Sequence, residues 1–64
     1  MDVSKLTPAQ RQQRQNIRNA YLIESVATIR AGMDRQDEFG RKCLQEMVDE
    51  CEAAGVDNYG KLPL

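Results

Sequence analysis

Histidine is absent from this 64-residue chain, which also has only one phenylalanine, two tyrosines and two cysteines. Without histidine, two thiols are too few ligands for a closed zinc site within one chain. The sequence also lacks a nucleophile beside a base and a glycine-rich phosphate loop that follows a strand. We therefore expect a protein without enzymatic activity, without a cofactor and without a metal site.

Long hydrophobic runs are absent as well. No stretch approaches the roughly 18 apolar residues that a membrane-spanning helix needs, and the first residues do not resemble a signal peptide. The net charge of −1 favours neither nucleic acid nor a membrane surface as a partner. We expect a soluble cytoplasmic protein, and its size is typical of a small accessory protein of a bacterium, plasmid or phage.

The two cysteines, Cys43 and Cys51, are eight residues apart in a segment with helical periodicity. Eight residues span about 12 Å along a helix axis, whereas a disulfide needs Cα atoms within about 7 Å. The two thiols therefore cannot bridge within this helix. They are interpreted as small apolar residues of a reduced core, or alternatively as an intersubunit disulfide or metal site across a dimer.

Two helices are predicted, one over residues 8–31 and one over residues 35–54. Thr7, Pro8 and Gln10 form a helix start of the capping-box type, and no further glycine or proline occurs before Gly32. Gly32 is predicted to end the first helix in a left-handed conformation, Asp34 to cap the second helix, and Gly55 to end it.

Helices joined by so short a turn are expected to lie antiparallel. The predicted fold is therefore all-α, a two-helix antiparallel hairpin over residues 8–55. It is flanked by a flexible N-terminal arm (residues 1–7) and a C-terminal tail (residues 56–64), in which Tyr59, Leu62 and Leu64 are candidate docking contacts. Because a chain of this length is marginal as a monomer, we expect the hairpin to dimerise into a four-helix bundle.

Apolar residues repeat at steps of three and four in both predicted helices, which is the spacing of a helix–helix contact. The predicted core and dimer seam consists of Leu22, Val26, Ile29, Met33, Phe39, Cys43, Leu44, Met47 and Cys51.

An arginine row, Arg11, Arg14 and Arg18, precedes the apolar stripe on the first helix. Three guanidinium groups on one helix face could bind a phosphate backbone. Alternatively the row pairs with the acidic second helix. In an antiparallel hairpin, Arg18 is expected near Glu50 or Glu52, and the other two arginines near Asp57.

Ile17, Tyr21 and Ile23 widen the apolar surface of the first helix beyond the width of one partner helix. This surplus indicates a second contact surface. A further hypothesis is that the chain is an inhibitor that inserts its first helix into the groove of a partner through these three residues.

These observations predict a small non-enzymatic regulatory or adaptor protein that acts as a homodimer through protein–protein interaction. The alternative is an RNA- or DNA-binding module that uses the arginine row. The candidate residues for binding a partner or nucleic acid are Arg11, Arg14, Arg18, Ile17, Tyr21 and Ile23.

Overall fold

The computed structural model describes residues 1–63, and these residues form three α-helices. Helix α1 spans Pro8–Ala20, α2 spans Val26–Gly32 and α3 spans Glu38–Ala54, with short 3-10 turns at Val3–Lys5, Met33–Arg35 and Tyr59–Lys61. The predicted all-α class is confirmed. Leu64, one of the predicted docking contacts of the tail, lies outside the described residues.

Helix α1 begins as predicted. The Thr7 hydroxyl accepts a hydrogen bond from the backbone N–H of Gln10 at 3.1 Å, and the Gln10 side chain accepts one from the Thr7 N–H at 2.9 Å. This reciprocal capping box satisfies two backbone donors that have no partner within the helix.

The prediction of one continuous helix over residues 8–31 is wrong, because the chain leaves the helical conformation over residues 21–25. Hydrogen bonds with the C-terminal segment keep this junction non-helical. The Val26 N–H donates to the Asp57 carbonyl at 2.8 Å, and the Tyr59 N–H donates to the Glu24 carbonyl at 2.9 Å. Ser25 then caps α2 by accepting from the Thr28 N–H. The interruption therefore depends on distant residues and on the Ser25 cap, since residues 21–25 contain no glycine or proline.

The antiparallel arrangement predicted for the first and second helices is also wrong for α1. Gln13 contacts Asp37 at the start of α3, Arg14 contacts Glu46, and Arg18 reaches Glu50 further along. Contacts that advance in the same order along both helices mean that α1 and α3 run in the same general direction. Helix α2 runs in the opposite direction to α3, since it begins beside Asp57 and leads through Met33–Arg35 to the start of α3.

Helix α3 is the centre of the fold and buries a face wide enough to contact both other helices. It starts at Asp37, whose carboxylate accepts from the Gly40 N–H at 2.7 Å, so the predicted cap at Asp34 is wrong. Ile17 of α1 and Ile29 of α2 pack against it. The residues of α3 with no exposed surface are Cys43, Leu44, Met47, Val48 and Cys51.

The predicted seam is thus largely the core of a single chain. Five of its members have no exposed surface: Ile29, Cys43, Leu44, Met47 and Cys51. Val26, Met33 and Phe39 pack partly buried against this core. Leu22 is the exception, because the break after Ala20 turns it into solvent, and its position in the core was predicted wrongly.

The accessible surface of the chain is 4268 Å². A globular monomer of 7.3 kDa has a surface of about 4,200 Å². The chain therefore closes its core to the extent usual for a monomer of its mass.

The segments before α1 and after α3, as far as residue 63, are folded. The side chain of Asp2 caps the turn Val3–Lys5 through the Ser4 N–H. Gly55 ends α3 in the left-handed conformation, with φ of 71°, as predicted, and the Val56 N–H donates back to the Cys51 carbonyl. The segment that follows was predicted to be a tail, but it forms an isolated bridge to Ser25 and packs Tyr59 against the core.

Gly32 has a role different from the predicted one. Its φ of −77° is right-handed, so it does not supply a left-handed helix end. Instead it makes room for the ring of Tyr21, because a Cβ atom at this position would overlap the Tyr21 hydroxyl and lie 2.9 Å from Cζ. Gly32 therefore allows the Tyr21 ring to approach the end of α2 closely.

We expect Gly32→Ala to lower the free energy of unfolding by about 1–3 kcal/mol, although alanine favours a helix, because the Tyr21 ring must be displaced. Urea denaturation followed by circular dichroism measures this. In a Tyr21→Phe background, which removes the overlapping hydroxyl, the loss should be smaller. An equal loss in both backgrounds would show that Tyr21 is not its cause.

Candidate partner-binding groove

Arg14 and Arg18 extend from α1 to two carboxylates of α3. Glu46 accepts a hydrogen bond from Arg14 Nη2 at 2.7 Å and another from Arg18 Nη2. Arg18 also binds Glu50 in a bidentate manner, at 2.9 and 3.2 Å, and donates to the hydroxyl of Tyr59 at 2.7 Å. The Arg18 and Glu46 side chains are only 13% and 18% exposed, so solvent screens these pairs less than ordinary surface pairs.

Burial and pairing oppose each other at these groups. Burial raises the pKa of Glu46, but hydrogen bonds from the amino group of Met1, from Arg18 and from Arg14 outweigh it and lower the pKa to about 2. Burial lowers the pKa of Arg18, whereas its bonds to Glu50 and Glu46 raise the pKa more strongly, so the net shift is upward. Both groups therefore remain charged at neutral pH.

The depressed pKa of Glu46 predicts a loss of stability in acid. Its folded-state pKa, about 2, lies below its ordinary value of 4.5, so its contribution is complete above pH 4.5 and is lost as the pH falls towards 2. We expect the free energy of unfolding to fall by about 3 kcal/mol from this group across that interval. Urea titrations at a series of pH values measure the slope, and a flat profile between pH 4.5 and 2 would contradict the prediction.

The structure places the arginine row in two different environments. The predicted Arg18–Glu50 contact is present. Arg14 was expected near Asp57 but binds Glu46, because α1 runs parallel to α3. Arg11 is exposed, and its Nη1 donates to the carbonyl of Leu6 at 2.8 Å, so it too lies away from Asp57.

A groove of about 570 Å³ lies beside the interrupted helix, and we call it the junction groove. The residues lining it include the paired side chains Arg18, Glu50 and Tyr59 as its polar part. Its apolar lining consists of Leu22, Ile23, Ala54, Leu62 and Pro63. The groove thus joins an apolar surface to a charge-paired polar one.

Two apolar side chains of this groove are unusually exposed. Ile23 is 75% exposed and Leu22 is 56% exposed, more than any other large apolar side chain within residues 1–63. Exposed apolar side chains that cluster in one place are typical of contact sites, whereas scattered ones are common on any surface. This cluster therefore makes the junction groove the candidate contact site.

The C-terminal segment builds one side of the groove. Asn58 caps the turn Tyr59–Lys61 by accepting from the Gly60 N–H at 2.8 Å. A Cβ atom at Gly60 would lie 3.4 Å from the Cα atom of Ile23, so the glycine lets this segment lie directly against the junction. A salt bridge of 3.0 Å between Lys61 and Asp57 spans the same turn.

Of the three apolar residues predicted to contact a partner, only Ile23 is available on the surface. Ile17 belongs to the core, and Tyr21 is half-buried against it. Insertion of the first helix into a partner through all three residues would therefore require the fold to open.

Cys43 and Cys51 are buried, and burial raises the pKa of both thiols. This arrangement agrees with their interpretation as core residues, since an intersubunit disulfide or shared metal would require exposed thiols. Among residues 1–63, no group of three or more cysteine or acidic side chains is arranged to hold a metal ion.

Sequence reasoning did not assign Ala54, Gly60 or Pro63 to a binding surface. Leu62 was considered as a docking contact of a tail, not as part of a groove. No local pattern could have joined these residues to Ile23, because their proximity arises only when the C-terminal segment packs on the junction.

Comparisons with protein-family models, with curated proteins and with solved structures give no match for this chain. Within the part of the chain that the structure describes, no helix has the length and apolar character needed to cross a membrane.

Proposed function

We propose that this chain is a small non-enzymatic regulatory or adaptor protein of the cytoplasm that binds another protein through the junction groove. The observation that carries the proposal is the exposure of Leu22 and Ile23 on the edge of an apolar groove. Covering such side chains on binding removes apolar surface from water and is favourable.

The charges of the groove indicate the chemistry of its occupant. Arg18 is neutralised by Glu46 and Glu50, so the polar part of the groove offers no free charge of either sign. An uncharged apolar segment matches this environment, whereas a charged ligand would have to break the existing pairs. The apolar face of an amphipathic helix in the partner protein has the required chemistry.

The nucleic-acid alternative has weaker support. Arg14 and Arg18 are bound to carboxylates of the same chain, and a phosphate backbone would have to displace them. Arg11 alone remains exposed in the row. One exposed guanidinium makes too few phosphate contacts for strong non-specific binding.

A photo-crosslinking amino acid placed at Ile23 tests the proposal, with one at Val3 as a matched control on an exposed apolar side chain outside the groove. In a nuclease-treated extract of the native host, the probe at position 23 should capture a protein that the probe at position 3 does not. The purified captured protein should then bind the wild-type chain, and Ile23→Ser should weaken that binding at least about tenfold, in line with an interface hot spot.

The proposal is wrong if Ile23→Ser leaves the affinity unchanged. If capture occurs only in an extract without nuclease, and Arg11→Ala weakens the complex formed there, the nucleic-acid alternative is correct instead.

The homodimer predicted from the sequence is part of the proposal, but two folded chains cannot dock through the predicted seam. Five members of the predicted seam have no exposed surface in a single folded chain. A dimer that uses them requires two chains to open and repack together.

A further inference from the structure

The junction over residues 21–25 separates two helices although its sequence, Tyr-Leu-Ile-Glu-Ser, contains no glycine or proline. Leucine and glutamate favour a helix, and the other three residues tolerate one. The junction is non-helical because residues 57–59 hydrogen-bond to Glu24 and Val26 and because Ser25 caps α2. Local preference and tertiary contacts therefore favour different conformations at this point.

The contacts that hold α1 in place can be made by any copy of this chain. Arg14 and Arg18 bind α3, and Ile17 fills the core above it. None of these contacts requires that α1 and α3 belong to the same chain. This is the condition under which two chains can exchange an identical element.

We propose that this chain also forms a dimer in which residues 21–25 become helical and α1 of each copy packs on α3 of the other. The proposal rests on the homodimer proposed above and not on partner binding in the junction groove. Helices α1 and α2 then join into one helix over residues 8–32, about 37 Å long. In such a helix α1 no longer contacts the α3 of its own chain, and α1 of the second copy packs on that α3 instead.

The apolar pattern of the sequence agrees with this continuous helix. Leu22, Val26, Ile29 and Met33 follow one another at steps of four, three and four, which places them on one face only if the helix is uninterrupted. In the monomer Leu22 is 56% exposed and has no place in the core. In the exchanged dimer it lies in the middle of the long helix, where the junctions of the two copies meet.

The junction groove of the monomer cannot exist in the exchanged dimer. A helical junction changes the positions of Leu22 and Ile23 and removes the apolar lining that the groove needs. The monomer would then bind the partner protein and the exchanged dimer would not, so the concentration of the chain would control its availability.

Charge reversal on the two sides of the α1–α3 contact tests the exchange directly. One variant carries Arg14→Glu and Arg18→Glu, and the other carries Glu46→Arg and Glu50→Arg. Each variant alone places like charges together in any arrangement of its own chains. When the two variants are unfolded and refolded together in equimolar amounts, only exchange of α1 restores both sets of opposite pairs.

We expect the mixture to show a higher melting temperature than either variant and, by native mass spectrometry, a complex with one copy of each. In the chain with its wild-type charges, Ser25→Ala removes the cap of α2. This substitution should increase the equilibrium constant for dimer formation by about fivefold per junction. Thr28→Ala keeps this cap and serves as the control.

Light scattering on the wild-type chain separates the possible failures. A mass of one chain at every concentration up to millimolar overturns both the homodimer and the exchange. A mass of two chains with no gain on mixing the charge variants overturns the exchange and keeps the homodimer.

Discussion

Replacing Glu46 by glutamine is expected to lower the free energy of unfolding at pH 7 by about 3 kcal/mol, a large share of the total for so small a domain. The substitution keeps the shape of the side chain and removes its negative charge. Glu46 accepts from Arg14 and Arg18 and lies 3.0 Å from the amino group of Met1, so its loss leaves two poorly exposed guanidinium groups short of counter-charge.

A matched control is available on the same helix. Glu52 pairs with Arg30, but these side chains are 57% and 52% exposed, and Glu52→Gln should change stability by less than about 1 kcal/mol. Urea denaturation at pH 7 compares the two variants. Glutamine does not titrate, so the Glu46→Gln variant should also lose the part of the acid sensitivity between pH 4.5 and 2 that Glu46 contributes. Equal effects of the two substitutions would show that Glu46 acts as an ordinary surface residue.

The second large effect is expected at Ile29 of α2, which has no exposed surface and packs in the core with residues of α3. Ile29→Ala should lower the free energy of unfolding by about 2–5 kcal/mol, because it removes buried methyl groups and leaves a cavity. Leu22→Ala, at a side chain that is more than half exposed, should lower it by less than about 1 kcal/mol.

This pair of variants separates the observed fold from the predicted one. In a continuous first helix, Leu22 and Ile29 are two members of the same apolar stripe and their truncation should be similarly damaging. In the three-helix fold they are not equivalent. Thermal unfolding at low chain concentration, where exchange of α1 is disfavoured, measures the difference, and similar losses at both sites would support the continuous helix.

Local features of this fold were predictable because their causes lie within a few residues. The capping box of Thr7 and Gln10 and the left-handed Gly55 depend on side chains and conformations that the sequence displays directly. The buried face of α3 follows from its periodicity. Val48 lies outside the predicted seam but is buried as well, because α3 contacts two helices.

The junction and the groove were not predictable in this way. Residues 21–25 contain no glycine or proline, and the Asp57 and Tyr59 backbone groups that bond to this junction lie more than thirty positions away. The direction of α1 follows from that break, and with it the pairing of Arg14 with Glu46 in place of Asp57. Charge asymmetry between the two halves correctly indicated that the arginines meet the acidic helix, but not in which register.

The labelling rates of the two buried thiols report how the fold opens. Both are inaccessible in the folded chain, so a small alkylating reagent can reach either one only after the surrounding helices separate. Cys43 belongs to the same core cluster as Ile17 of α1, whereas Cys51 is not a member of that cluster. Departure of α1 alone would therefore expose Cys43 first, and unfolding of the whole chain would expose both together. The ratio of the two labelling rates distinguishes motion of one helix from loss of the entire structure.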